Sequence, residues 1–163
     1  MTQLGLSFAP PTGDLDPPLP EMVLCISLWQ PYAGLCVAGI KTLETRTWDW
    51  PYPVPSWLVI HAAQHVDRAA ERRLAEKVAR VPVAVREARG ALVGLVLVCA
   101  RSHMLAPQDE ERACFYAPNR EAWPLDPARA RMFAQPKPMR GPQKFVRLPK
   151  ADVLGLLRGG GGQ

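Results

Sequence analysis

The sequence predicts a small α+β domain, a partly open mixed β-barrel with flanking short helices at its rim. Three observations predict it. The chain has 163 residues, enough for one proper core. Apolar runs of strand length recur at 23–26, 58–62 and 91–99. Eighteen prolines break helix interiors and central strands alike, so the elements between them are short. Hydrophobic residues at 48% and charged residues at 21% read as an ordinary globular protein.

Residues 1–20, with Pro10-Pro11 and Pro17-Pro18-Leu19-Pro20, predict a flexible or loosely docked arm. A domain over 21–151 follows, then a C-terminal segment, 152–163, ending in a glycine-rich tail. Val23-Leu24-Cys25-Ile26 begins the domain as a strand. Pro31 suits a first helical turn and Gly39 a helix end, predicting a helix over Pro31–Ala38. Lys41–Arg46 alternates as a strand, with Lys41, Leu43 and Thr45 on one face and Thr42, Glu44 and Arg46 on the other. Leu58–Ala62 is a second core strand. Asp67 caps a helix running to Arg80, with Val66, Ala70, Leu74 and Val78 along one face. Ala91–Cys99 is a buried strand. Gln108–Ala117 and Ala128–Ala134 read as short helices, and Phe145–Leu148 as a last strand.

The net charge of +5 and the sequence pI of about 9.3 favour anionic partners, nucleic acid above all. Residues 127–151 carry Arg129, Arg131, Lys137, Arg140, Lys144, Arg147 and Lys150 without one acid. That run suits a phosphate-facing patch or, equally, a solvated basic face. The four cysteines form no Cys-x-x-Cys pair, which argues against a zinc knuckle. His61 and His65 do not share a helix, so no metal is expected, and no cofactor either. The N-terminal residues lack a basic stretch followed by an apolar one, and no apolar run is long enough to span a bilayer. The expectation is a protein of the reducing cytoplasm with no membrane partner.

The candidate site residues cluster in two places. Lys41 can neutralise a phosphate or act as a base, or be a solvated lysine at a strand start. Glu44 and Arg46 can read a base edge and a phosphate, or form an ion pair of little consequence. Trp29 and Gln30 lie just upstream, a ring that can stack on a base and an amide that can read its edge. The alternatives are a core plug for Trp29 and a helix cap for Gln30. Trp48 extends this set from an aromatic loop, 48–57, that otherwise reads as a rigid wall. His61 interrupts an apolar strand and must find a partner or face a cavity. The second place is Lys137, Arg140 and Lys144, in a loop stiffened by Pro136, Pro138 and Pro142.

Ser27-Leu28-Trp29-Gln30-Pro31-Tyr32-Ala33, Gly39-Ile40-Lys41-Thr42-Leu43-Glu44-Thr45-Arg46 and Ile60-His61-Ala62 resemble an ASCH domain, a member of the PUA-like superfamily. Pro138–Lys144 is a weaker match. The resemblance covers about residues 22–149. It implies a PUA-like barrel whose cleft is lined by Lys41, Glu44 and Arg46, and a role with RNA or a modified nucleoside or nucleotide. Some members resemble it while deacetylating N4-acetylcytidine with a lysine and a threonine; this chain keeps the lysine, but Glu44 stands at the threonine's place.

Three functions are compatible with these residues. One is a binding module that holds a base and phosphate in the cleft. The second is a small hydrolase, acting on N4-acylated cytidine or as a ribonuclease, with Lys41 as base and Glu44 positioning water or acting as acid. The third is a protein-interaction adaptor using the aromatic loop, which requires an exposed apolar patch there. Whether the chain is an enzyme is left open by the sequence.

Overall fold

The computed structural model describes residues 15–159, so the expectations for 1–14 and for the glycine tail at 160–163 lie outside the described residues. The architecture is α+β: a curled half-barrel of sheet with short helices around it. Strand β1 (Met22–Gln30) runs parallel to β3 (Ser56–Val66), with Leu24 opposite Leu58 and Ser27 opposite His61. Beyond β3 lie β4 (Ala91–Val98) and then β7 (Arg131–Pro138), both antiparallel to their neighbours. On the other edge β8 (Val146–Pro149) pairs antiparallel with β1. A second sheet orders β2 (Leu43–Arg46), β6 (Glu121–Pro124) and β5 (His103–Met104). The sheets join where Cys99 donates its N–H to Pro124 O (2.9 Å) and Val98 bridges Leu125.

All eight residues of β4 are buried, because the sheet is covered on both faces. Helix α1 (Tyr32–Val37) covers one, over Leu24, Ile26, Leu28, Leu58, Ile60 and Val96. Helix α6 (Lys150–Leu157) covers the other with Val153, Leu156 and Leu157, over Val23, Cys25, Val59 and Leu95. Double coverage turns the usual alternation into an unbroken apolar run. Each fully buried Val or Leu there contributes about 1.5–3 kcal/mol of transfer free energy. Leu19, near the start of the described chain, is buried in the α6-side core, and Trp57 Nε1 donates to Pro17 O (2.6 Å).

Several expectations shift. The helix expected over 67–80 is capped by Asp67, whose side chain accepts from Ala70 N–H, but is interrupted at Leu74 into α2 (Arg68–Arg73) and α3 (Ala75–Val78). A further turn, α4 (Val83–Arg86), starts directly after Pro82. The helix expected over 108–117 contracts to a 3-10 turn, Pro107–Asp109, and α5 (Glu110–Ala113), closed by Cys114 in the left-handed region (φ 57°). The helix expected over 128–134 is a correction: only a 3-10 turn, Pro127–Arg129, forms, and the chain continues as β7. Pro136 and Pro138 forbid a longer helix but are tolerated on an edge strand, and Phe133 gains a place in the α6-side core. Among the described residues no helix is long and apolar enough to cross a membrane.

Candidate functional site

Gly39, with φ of +75°, turns the chain sharply at the end of α1. The N–H groups of Ile40 and Lys41 then both donate to Leu35 O (3.0 Å each). Lys41 therefore precedes β2 rather than belonging to it, and strand alternation does not govern its direction. It lines the same cavity as Glu44 and Arg46, not the opposite face that alternation predicts. This cavity, about 380 Å³, opens between the end of β1 and β2. That lies in the lower part of the range for small-molecule sites, about 300–1,000 Å³.

Lys41 is 2% exposed. Its Nζ donates to Leu43 O (2.7 Å) and to Ala113 O, and lies 5.4 Å from the Tyr32 ring centroid. Two of its three N–H groups are thus used, leaving one. Glu44 is buried; its Oε1 accepts from Thr45 N–H (3.0 Å) and stands 3.8 Å from Arg46 Nε. Arg46 donates from Nη2 to the Ser27 carbonyl (3.1 Å), tying β2 to β1, while its buried Nε has no hydrogen-bond partner among the described residues. Behind Glu44 lies Cys36, whose thiol is pushed well above its ordinary pKa, first by burial and then by the Glu44 carboxylate.

Five further residues enter the site. Tyr32, Asp67, Phe115 and Arg120 line the cavity, and so does Ser27. Arg120 donates from Nη2 to Thr45 O (3.3 Å) and lies over the Phe115 ring at 5.4 Å; its Nε is also buried without a hydrogen-bond partner among the described residues. Burial, then the Asp67 carboxylate, raises the Tyr32 phenol pKa. Ser27 and Tyr32 belong to the Ser27–Ala33 motif, so the sequence marks their neighbourhood. Phe115 and Arg120 lie in an irregular loop with no periodicity to mark them.

Trp29 also lines the cavity and is 53% exposed, the indole resting on the His65 ring at 4.1 Å between centroids. His65 lies on β3, which extends past the core run that the sequence shows. Gln30 requires a correction. It is buried; its amide accepts from Gly34 N–H (3.0 Å) and donates to Val85 O (2.8 Å) and Ala88 O (3.1 Å). It locks α1 to the end of α4 and cannot present an edge to a base.

Trp48 does not reach the cavity. It packs edge-on against Trp123 (4.9 Å) and Phe145 (5.4 Å). With Trp50 and Tyr52 these rings form a wall over the barrel end, and Trp50 is buried. Trp50 and Trp57 are buried and Trp48 alone of these rings is exposed, so the loop presents a single ring rather than the contiguous patch that an adaptor requires.

His61 is buried beside the cavity rather than in it. It borders a neighbouring hollow shared with Ser27, Gln64, Met139, Arg140 and Gly141. Ser27 lines both spaces. Arg140 and Lys144 are exposed on the β7–β8 loop and Lys137 near the end of β7, and none of the three forms an ion pair among the described residues. Arg129 differs: it is paired with Asp126 (2.6 Å) and Asp16 (3.7 Å).

A family model described as the ASCH domain matches residues 26–134, more than half of the chain. The chain belongs to the ASCH domain family. ASCH domains belong to the PUA-like superfamily and are generally thought to bind RNA. The fold of this ASCH domain is similar to the crystal structure of ASCH from Zymomonas mobilis, at 15% identity and a TM-score of 0.50, over 85% of this chain and 95% of that one. A crystal structure of a point variant of the Zymomonas mobilis protein aligns at 18% identity and a TM-score of 0.47, over 82% and 95%. No curated protein matches the ASCH chain in sequence.

Proposed function

We propose that this ASCH domain binds single-stranded RNA or a free nucleotide, modified or not, with the base in the Lys41/Glu44/Arg46 cavity and phosphates along Arg140 and Lys144. The observation that carries this reading is the convergence of three cations (Lys41, Arg46, Arg120) and two carboxylates (Glu44, Asp67) on one cavity edged by the exposed Trp29. The guanidinium groups of Arg46 and Arg120 line the cavity and suit an anionic or carbonyl oxygen. Trp29 offers a face on which a base can stack. Ser27 lines both the cavity and the hollow bordered by Arg140, so the base site and the phosphate site would be neighbours.

The test is fluorescence anisotropy with labelled single-stranded RNA over a salt series. Binding should fall linearly on a log–log plot, with a slope of about −0.7 per phosphate neutralised. Trp29→Ala should weaken binding at all salts. Unchanged affinity in both Trp29→Ala and Arg140→Ala, for every RNA and nucleotide tried, would refute the reading.

Hydrolysis through Lys41 and Glu44 is less well supported. The lysine Nζ is held by two carbonyls, and the carboxylate faces Thr45 N–H and Arg46. Neither group is placed to activate water without first breaking these contacts.

A further inference from the structure

Ser27 and His61 face each other on parallel neighbours β1 and β3. They continue the sheet face that carries Val23, Cys25 and Val59, but α6 does not cover them; the β7–β8 loop does. His61 Nε2 lies 2.6 Å from Met139 O, and Nδ1 lies 2.9 Å from Ser27 Oγ. A carbonyl can only accept, so Nε2 carries the proton. Burial pushes the His61 pKa down, which keeps the ring neutral near pH 7 and Nδ1 bare. Ser27 must then be the donor: its O–H points at an unprotonated imidazole nitrogen. The fit is tight. A Cβ on Gly141 would stand 2.5 Å from His61 Cε1 and 3.2 Å from Ser27 Oγ, so only glycine lets the loop close over the pair.

We propose that Ser27 and His61 form a nucleophile–base pair that transfers acyl groups from oxygen esters presented at the boundary of the two cavities. Ser27 is partly exposed and borders both. In the first step Oγ bonds to the ester carbonyl carbon and its proton passes to Nδ1. The C–O bond then breaks and the departing alkoxide takes that proton from Nδ1. Water reverses the sequence: it attacks the acyl carbon, gives a proton to Nδ1, and Oγ leaves with that proton, releasing the carboxylic acid. No electrons are exchanged. Arg46, which lines the first cavity and is bonded to the Ser27 carbonyl through Nη2, is the adjacent cation for the developing oxyanion. The imidazole is oriented by a neutral carbonyl rather than a carboxylate, which supports the imidazolium less. Esters, whose alkoxides leave readily, therefore suit the pair better than amides. This inference stands on the Ser27–His61 geometry and holds whether or not RNA binds.

The experiment treats the intact chain with a fluorophosphonate. Oγ displaces fluoride, which departs with the Ser27 proton, and peptide mapping locates the adduct. The expected result is one adduct on Ser27, absent in Ser27→Ala and formed about 100-fold or more slowly in His61→Gln. p-Nitrophenyl acetate hydrolysis should follow the same order. A wild-type chain unlabelled at Ser27, or labelling at an unchanged rate in His61→Gln, overturns the proposal. Because His61→Gln can fail to fold, Ser27→Cys provides an independent reading. Its thiol should react with iodoacetamide faster than the exposed Cys99 of the same molecule; an equal or slower rate overturns the proposal as well.

Discussion

Two sets of candidate side chains differ in how they are held. Lys41, Glu44 and Gln30 are buried and bonded to backbone: Lys41 to Leu43 and Ala113, Glu44 to Thr45, Gln30 to Gly34, Val85 and Ala88. Trp29, Arg140 and Lys144 are exposed, and the two cations form no ion pair among the described residues. The first set fixes the shape of the cavity. In the proposed reading the second meets the ligand. Variants of the first set should therefore reduce stability whatever they do to binding, and variants of the second should reduce binding alone. Arg46 joins the two, since it holds Ser27 yet lines the cavity.

The largest effect is expected within the buried set. Gln30→Ala strips a donor and two carbonyls of their partner, and each buried polar group left unsatisfied costs about 1–3 kcal/mol. A total near 3 kcal/mol lowers Tm by about 6–12 °C for a chain of this size, measured by thermal unfolding. Affinity of the folded protein for RNA should not change. Lost binding with an unchanged Tm would place Gln30 in the second set.

Trp29→Ala tests the other side of the division. Base stacking on an aromatic side chain is worth about 1–3 kcal/mol, a loss of roughly 5- to 150-fold in affinity by anisotropy. Surface substitutions away from special features stay within about ±0.5 kcal/mol of stability, so Tm should hold. A Tm drop with intact affinity would make Trp29 and His65 a packing pair and nothing more.

This division was only partly legible in the sequence. The Gly39–Arg46 element located the cavity because glycine, lysine, glutamate and arginine at that spacing have no purpose in a plain surface strand. The barrel class was also legible, from short apolar runs between prolines. Side-chain direction was not. Lys41 alternates as if on the wrong face because helix-end hydrogen bonds to Leu35, not strand geometry, set its position. Gln30 sits beside an exposed tryptophan, yet it is drawn inward by two carbonyls at the end of α4, more than fifty residues away. Arg120 and Phe115 lie in an irregular loop and reach the site through long-range packing that no local pattern encodes. The same holds for β7, where a helix-like run becomes a strand because β4 offers it a free edge.

Removing exposed cations should have a smaller and different consequence. Arg140→Ala with Lys144→Ala should weaken RNA binding modestly at low salt. The log–log salt slope should become shallower by about 0.7 for each phosphate that the protein no longer neutralises. Tm should stay constant. A slope unchanged from wild type would move the phosphate path off the β7–β8 loop and leave the Trp29 result untouched.

The smallest expected effect separates the two sets by pH. His61 belongs to the buried set, yet it holds the loop that carries the exposed cations, through Met139 O. Its folded-state pKa lies below the ordinary histidine value because burial disfavours the charged ring; the Met139 hydrogen bond opposes this less strongly. The unfolded chain then binds the proton more readily than the folded one, so stability rises with pH across the interval between the two pKa values. His61 contributes its full share above about pH 6.5, the unfolded value, and that share declines as pH falls through the lowered folded value. Wild-type Tm should therefore drop between pH 7 and pH 5 by more than that of His61→Gln. Comparing the two chains cancels the carboxylates, such as Asp109, whose pKa is lowered by the Ala106 N–H. Protonation places a second N–H on the ring, opposite Ser27, and a hydroxyl can turn to accept from it. The bond to Met139 O survives in either state, so the loop should stay closed and only the stability should move. If instead RNA affinity fell with pH in wild type but not in His61→Gln, the loop would be opening, and the buried and exposed sets would be coupled through this one ring.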